Sequence, residues 1–122
     1  MSVHQTAVAR YFTAWNAEGP EDIAQAVAAA WSEDGSYTDP LADVAGHQGI
    51  AAVIAAAGEQ FRGFEFRQTG PVDGHHGVAR FSWELVSAVD GSAPVAGSDV
   101  IALADDGRIR TVHGFLDRVP AV

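Results

Sequence analysis

The spacing of apolar residues changes at Gly63, and this change restricts the chain to one class of fold. Before Gly63, apolar residues recur every three or four positions, as in helices that bury one face. After it, β-branched and aromatic residues dominate four stretches that are typical of strands: FEFRQTGPV, VARFSWELVSAV, PVAGSDVIALA and RIRTVHGFL. This order predicts an α+β fold, in which three N-terminal helices pack against a curved, cone-shaped antiparallel sheet.

Three helices are predicted before Gly63, each with one apolar face. The first helix has the face Val8, Tyr11, Phe12 and Trp15. The second begins at Pro20, which suits the first helical position, and has the face Ile23, Val27, Ala30 and Trp31. The third begins near Gln48 and has the face Ile50, Val53, Ile54, Ala57 and Phe61.

Aspartate-glycine pairs separate the predicted strands. Asp73-Gly74, Asp90-Gly91 and Asp106-Gly107 each lie between two of the stretches, and such pairs are a strong short-range signal for hairpin turns. A further short extended segment, SYTDP at residues 36–40, lies between the second and third helices and ends in a turn at Pro40.

Composition excludes several classes of function. The 122 residues are predicted to form one domain, residues 1–122, and 48% of them are hydrophobic. The chain has no lysine and a net charge of −9, so neither nucleic acid nor an anionic membrane is an expected partner. It has no cysteine, no apolar run of 18 residues and no visible secretory signal, so we expect a cytoplasmic location.

The segment SYTDP contains the first candidate for chemistry. Side chains alternate along an extended segment, so Tyr37 and Asp39 point the same way, and an inward Tyr37 would bring Asp39 with it. An aspartate before a proline is also a common way to open a turn. Asp39 is therefore either a turn residue or a carboxylate held in an apolar cavity, where burial disfavours its charged form and makes it a stronger base.

A sheet curled over helices encloses a cavity, and aromatic residues are predicted to surround it. In RFSWEL, Phe81, Trp83 and Leu85 share the face that looks toward the helices. Each aromatic residue could be plain core, but three tryptophans in 122 residues favour a pocket for a flat hydrophobic ligand. Tyr11 likewise could be core, with its hydroxyl bonded to water or to a carbonyl.

The ordered motifs resemble those of a known superfamily. ARYFTAWN, SEDGSYTDP, GHQGI, TGPV and DVIALADDGRIRTVHGF follow one another between about Val8 and Phe115. Together they resemble the nuclear transport factor 2-like superfamily, which has a cystatin-like cone, and within it the SnoaL-like and ketosteroid isomerase-like branch. Isomerases, hydrolases, cyclases and non-catalytic binding proteins share this scaffold.

The resemblance implies roles for particular residues. The tyrosine of Arg10-Tyr11 matches the ketosteroid isomerase tyrosine that donates to the substrate oxygen, and Asp39 matches the aspartate that shuttles the proton. Tyr37 is a possible additional donor to that oxygen. The residues expected to bind substrate are Trp15, Trp31, Phe61, Phe81, Trp83, Val100 and Leu116.

Two positions differ from the ketosteroid isomerase pattern. A second acid that helps to bind the substrate oxygen falls at Ala102, and a supporting tyrosine on the third helix falls at Ile54. Asp99 and His113 are second-choice polar groups, because within the resemblance their strands place both on the outer face of the sheet. The resemblance implies cofactor-free proton transfer next to a carbonyl, as in a ketosteroid isomerase-like isomerisation or a polyketide cyclase-like reaction, with Asp39 as the base. Ala102 and Ile54 favour the alternative, a non-catalytic ligand-binding or interaction module on the same fold.

No metal or cofactor is predicted. His75 and His76 are adjacent on an extended segment and point in opposite directions, with no third ligand at a suitable spacing. The chain has neither a glycine-rich phosphate loop nor a serine nucleophile motif. The expected ligand is a small hydrophobic molecule, and apolar residues on the outer face of the sheet predict a homodimer.

Overall fold

The computed structural model describes residues 1–120 and contains three helices and six strands in the described part of the chain. The helices are α1 (Val3–Asn16), α2 (Pro20–Ala30) and α3 (His47–Gln60). The strands are β1 (Trp31–Asp39), β2 (Ala42–Ala45), β3 (Phe64–His75), β4 (Val78–Ser87), β5 (Val95–Leu103) and β6 (Ile109–Arg118). The expected α+β arrangement is confirmed.

Local sequence signals explain where the first two helices begin. Ser2 caps α1: its side chain accepts from the Gln5 backbone N–H, while the Gln5 side chain accepts from the Ser2 backbone N–H. Gly19 precedes α2 with a φ of 83°, which glycine adopts without steric cost, and Pro20 then begins the helix.

The six strands form one mixed sheet in the order β2-β1-β6-β5-β4-β3. All neighbouring pairs are antiparallel except β1 and β6, which run parallel. This parallel pair joins the strand that contains Tyr37 and Asp39 to β6. The sequence did not predict β2, which forms a hairpin with β1 across Pro40 and Leu41.

Two local predictions are wrong. Trp31 was placed on the second helix, but it begins β1, where it pairs with Ile109 and is completely buried beside the Tyr11 ring. Asp73-Gly74 was expected to form a turn, but it lies within β3, and the turn follows at His76, whose φ is 51°. Gly74 instead makes room for His4, since a Cβ there would lie 2.6 Å from the His4 ring.

The core lies between the helices and the inner face of the sheet. Phe81, Trp83 and Leu85 all point inward from β4, as their alternation predicted. The opposite, outer face exposes Val100 and Phe115. No helix within residues 1–120 is long and apolar enough to cross a membrane.

Candidate functional site

An apolar cavity of about 380 Å³ opens between the helices and the inner face of the sheet. This volume falls within the range of small-molecule binding sites. Three of its lining residues have a hydroxyl or a carboxylate: Tyr11, Tyr37 and Asp39. The apolar part of the lining comes mainly from α3 and the strands: Val53, Ala56, Ala57, Phe61, Phe66, Trp83, Leu85, Val95 and Leu116.

Asp39 both closes a turn and faces the cavity. Its Oδ1 accepts from the backbone N–H groups of Leu41 and Ala42, each at 2.8 Å, in the manner of a turn-forming aspartate. Its Oδ2 accepts from the Tyr37 hydroxyl at 2.5 Å. The two interpretations of SYTDP are thus compatible, because the turn bonds fix the orientation of a carboxylate that lines the cavity.

A second carboxylate, Asp99, lies behind the cavity wall. Its Oδ2 accepts from the Tyr11 hydroxyl at 2.8 Å and from the Trp83 indole N–H at 3.0 Å. Asp99 is only 2% exposed. Because Tyr11 and Trp83 line the cavity and both bond to this carboxylate, Asp99 holds two of the cavity's polar groups in place.

Two glycines on the inner face leave space for this arrangement. Gly114 is paired with Asp99 across β5 and β6, and a Cβ there would lie 2.6 Å from Asp99 Oδ1 and 3.3 Å from Asp39 Cβ. Gly97 lies under the Trp83 indole, where a Cβ would be 2.6 Å from Cε2. Side chains at these positions would displace Asp99 and Trp83, so the glycines are needed for the geometry of the site.

Burial controls the charges of the site. Removal from water raises the pKa of Asp99 to about 6, against the opposing effect of its hydrogen bonds from Tyr11 and Trp83. Burial, followed by the charge of Asp99, raises the pKa of Tyr11 well above its ordinary value. Burial and the bond to Asp39 also raise the pKa of Tyr37. Both tyrosines are therefore neutral hydrogen-bond donors at physiological pH.

The structure brings most of the predicted site residues to this cavity. Tyr11, Tyr37 and Asp39 line it, as do four of the seven predicted substrate-binding residues: Trp15, Phe61, Trp83 and Leu116. The other three do not. Trp31 and Phe81 are buried in the core, and Val100 is 41% exposed on the outer face.

The expected orientation of Asp99 is wrong, whereas His113 does lie exposed on the outer face. On β5 the odd-numbered residues Val95, Asp99 and Ile101 point inward, so Val100 and Ala102 belong to the other side. Ala102 is therefore not the position from which this strand presents an acid to the helices. Val95 and Ile101 are apolar and lie on the same face of β5 as Asp99. They were the sequence signal from which the inward orientation of Asp99 could have been predicted.

Ile54 is a buried core residue of α3 and supplies no polar group. The role of Trp83 as a donor to Asp99 was also missed. Spacing shows which face of a strand a side chain occupies, but the aim of an indole N–H depends on the residue across the sheet.

A larger groove of about 510 Å³ lies on the other side of Trp15, Phe61 and Phe66. It is formed by the α1–α2 connection and the end of α3, and its ionisable residues Glu18, Glu59 and Arg62 are exposed. It lacks the buried carboxylate and tyrosine pairs of the smaller cavity, which is therefore the better candidate for chemistry. Within residues 1–120, no cluster of three or more histidine, aspartate or glutamate side chains could hold a metal ion.

A profile of the SnoaL-like domain matches residues 8–112. The chain belongs to the SnoaL-like family. It is 45% identical to a solved protein of Agrobacterium tumefaciens that is provisionally named an isomerase of the SnoaL-like family. The two structures superpose with a TM-score of 0.89 over 96% of this chain and 99% of that one. No curated relative matches the chain.

More distant structures share the SnoaL-like fold. A protein of Jannaschia sp., provisionally named a SnoaL-like polyketide cyclase, is 18% identical, with a TM-score of 0.76 over 94% of this chain and 85% of that one. A nuclear transport factor 2-like protein of Cytophaga hutchinsonii is 14% identical, with a TM-score of 0.65 over 96% and 91% of the two chains. These likenesses confirm the expected fold class.

Proposed function

We propose that this SnoaL-like protein binds a small hydrophobic carbonyl compound and catalyses proton transfer at the carbon next to the carbonyl, without a cofactor. The observation that carries the proposal is the meeting of a carboxylate, Asp39, and a buried tyrosine hydroxyl, Tyr11, at one apolar cavity. The name of the Agrobacterium tumefaciens relative, an isomerase, agrees with this reaction class.

Asp39 is the proposed general base. Its Oδ2 removes a proton from the carbon beside the carbonyl, and the electron pair of that C–H bond moves onto the carbonyl oxygen to give an enolate. Return of the proton to another carbon of the conjugated system shifts the double bond. Attack of the enolate carbon on a second carbonyl closes a ring instead, as in an aldol-type cyclisation.

Tyr11 is the proposed donor to the enolate oxygen. In the structure its hydroxyl donates to Asp99 Oδ2. A protonated Asp99 can donate to the Tyr11 oxygen instead, which frees the Tyr11 proton for the ligand. Because the pKa of Asp99 is raised to about 6, this protonated form is accessible near neutral pH, and a negative oxygen in the site stabilises it further.

Tyr37 has a different role from the one first considered. Its hydroxyl is bonded to Asp39, so it orients the base rather than the enolate oxygen. Tyr37→Phe would remove this bond and leave the two backbone bonds to the other carboxylate oxygen. We expect it to lower turnover less than loss of Asp39 itself.

Turnover of β,γ-unsaturated ketones, followed by the ultraviolet absorbance of the conjugated product, tests the proposed base. Asp39→Asn preserves the acceptor for the turn bonds and should lower turnover by about 10²-fold or more with binding intact. Asp43→Asn, an exposed aspartate on β2, is the matched control and should behave like wild type. If Asp39→Asn turns over every bound ketone at the wild-type rate, the enzyme proposal fails and a non-catalytic binding module remains.

Binding of equilenin, a steroid phenol that resembles the enolate of a steroid ketone, tests the proposed donor. Its fluorescence reports binding to wild type and to Tyr11→Phe. Loss of the Tyr11 hydroxyl should weaken binding sharply, because a donor to a charged oxygen is removed from a water-poor site. Equal binding by the two proteins would make Tyr11 a core residue.

A further inference from the structure

One indole N–H at the cavity has no acceptor. Among the described residues, the Nε1 atoms of Trp15 and Trp31 are buried without a hydrogen-bond partner. A buried donor without a partner is costly, so such groups in native proteins call for an explanation. The Trp31 side chain is wholly enclosed by core residues, whereas the Trp15 side chain lines the cavity.

Trp15 lies beside both tyrosines of the site. It follows Tyr11 by four residues on α1, so the two side chains are neighbours on one helix face. The Trp15 ring is 6.1 Å from the Tyr11 ring and 5.3 Å from the Tyr37 ring, measured between centroids. Its Nε1 is shielded from solvent, so it faces other protein groups rather than the open cavity.

The free N–H acts electrostatically on the neighbouring Tyr11 hydroxyl. Burial and the charge of Asp99 raise the pKa of Tyr11, whereas the Trp15 N–H acts in the opposite direction. The Trp15 N–H thus favours negative charge on the Tyr11 oxygen, which belongs to its neighbour on the same helix face, yet it has no hydrogen-bond partner in the structure.

We propose that the Trp15 N–H donates to the Tyr11 oxygen when Tyr11 gives its own hydrogen bond to a negatively charged ligand oxygen. As the Tyr11 proton moves toward the ligand oxygen, electron density on the phenol oxygen rises and that oxygen becomes a better acceptor. The unpaired N–H then gains a partner. Trp15 is in this sense a positioning residue, which acts on the ligand through Tyr11.

This inference rests on the proposed function and narrows the ligand class. The hydrogen bond from the Trp15 N–H to the Tyr11 oxygen strengthens as the negative charge on the ligand oxygen grows. The site should therefore favour phenolates and enolates over neutral carbonyls of the same shape. A ligand without an oxygen at this position should gain nothing from the Trp15 N–H.

Titrations with 2-naphthol and with naphthalene test the proposal in four proteins: wild type, Trp15→Phe, Tyr11→Phe and the double variant. Trp15→Phe should weaken the binding of 2-naphthol about fivefold more than it weakens the binding of naphthalene. This factor is the effect of one lost hydrogen bond. In the Tyr11→Phe background the same substitution should cause no further selective loss, because the oxygen through which Trp15 acts is absent.

The indole N–H resonances of the wild-type protein provide a second readout that does not depend on a variant folding correctly. The chain has three tryptophans, so its ¹H–¹⁵N spectrum contains three indole signals. Saturation with 2-naphthol should move the Trp15 proton downfield, as a new hydrogen bond does, while naphthalene should not. The Trp31 indole N–H also has no partner, but it is enclosed in the core and is the internal control. Its resonance should not shift.

The outcomes separate the two proposals. If Trp15→Phe weakens 2-naphthol binding selectively by the same factor in wild type and in Tyr11→Phe, the proposed role of Trp15 is overturned and the proposed function is not. The same holds if 2-naphthol leaves the Trp15 indole resonance unshifted. If Tyr11→Phe binds 2-naphthol as tightly as wild type does, the proposed function itself fails, because no donor to the ligand oxygen is then present at Tyr11.

Discussion

Replacement of Asp99 by asparagine should change how the stability of the protein depends on pH. Burial raises the pKa of Asp99 from 3.8 to about 6 in the folded protein. Between these values the folded state binds more protons at this site than the unfolded state, so stability falls as the pH rises. The contribution of the protonated Asp99 carboxyl to the stability of the folded protein is fully present below about pH 3.8 and is lost as the pH rises through about 6.

The size of the effect follows from the two pKa values. At about 1.4 kcal/mol for each pH unit, the interval from 3.8 to about 6 corresponds to about 3 kcal/mol. About half of this lies between pH 5 and pH 8. Asparagine has nearly the same shape and can accept the Tyr11 and Trp83 bonds, and any cost of its extra N–H groups is independent of pH over this range.

Urea unfolding, followed by tryptophan fluorescence, measures the effect. Between pH 5 and pH 8, the free energy of unfolding of wild type should fall by about 1.4 kcal/mol relative to that of Asp99→Asn. The other titrating groups are common to both proteins, so their effects cancel in this comparison. If the two proteins show parallel stability over this range, the Asp99 carboxylate is not desolvated as the structure describes. The role assigned to its protonated form would then be refuted.

Three further substitutions test the packing and the outer face. Gly114→Ala should destabilise the protein by about 1–3 kcal/mol in urea unfolding, because the new Cβ would lie 2.6 Å from Asp99 Oδ1; wild-type stability would contradict the crowding. Gly58→Ala, an exposed α3 position with no atom within 4 Å, is the control and should stabilise by about 0.5–1 kcal/mol; a loss of stability there would undermine the comparison. We also propose a homodimer through the outer face, where Phe115 is 61% exposed, so Phe115→Glu should halve the mass in light scattering. A wild-type mass near 12.8 kDa would refute the dimer.

Helical periodicity was the most informative part of the sequence. It located three helices because their apolar faces repeat over several turns, but it included Trp31 in α2. A tryptophan next to Ala30 continues an apolar face as well as it begins a buried strand. Its pairing with Ile109, 78 residues later, decides the outcome, and local spacing cannot register such a distant contact.

The site was only partly predictable, for two physical reasons. The orientation of a strand is read from its apolar residues, and β5 has Val100 on one face against Val95 and Ile101 on the other. Glycine adds no apolar signal, so Gly97, although buried on the inner face, could not help to decide the matter. The bonds that Asp99 accepts join distant parts of the chain, and only the folded sheet brings them together.

The parallel pairing of β1 with β6 has a consequence for when the cavity can form. In the described residues 1–120, β6 lies between β1 and β5, so the hairpin that contains Asp39 is joined to the rest of the sheet only through β6. A chain emerging from the ribosome can form its helices and the β3–β4–β5 meander early, because these contacts are local in sequence. The carboxylate and the tyrosine hydroxyl come to share a cavity only when residues 109–118 have been synthesised and inserted. The cavity should therefore form only after β6 has been inserted between β1 and β5.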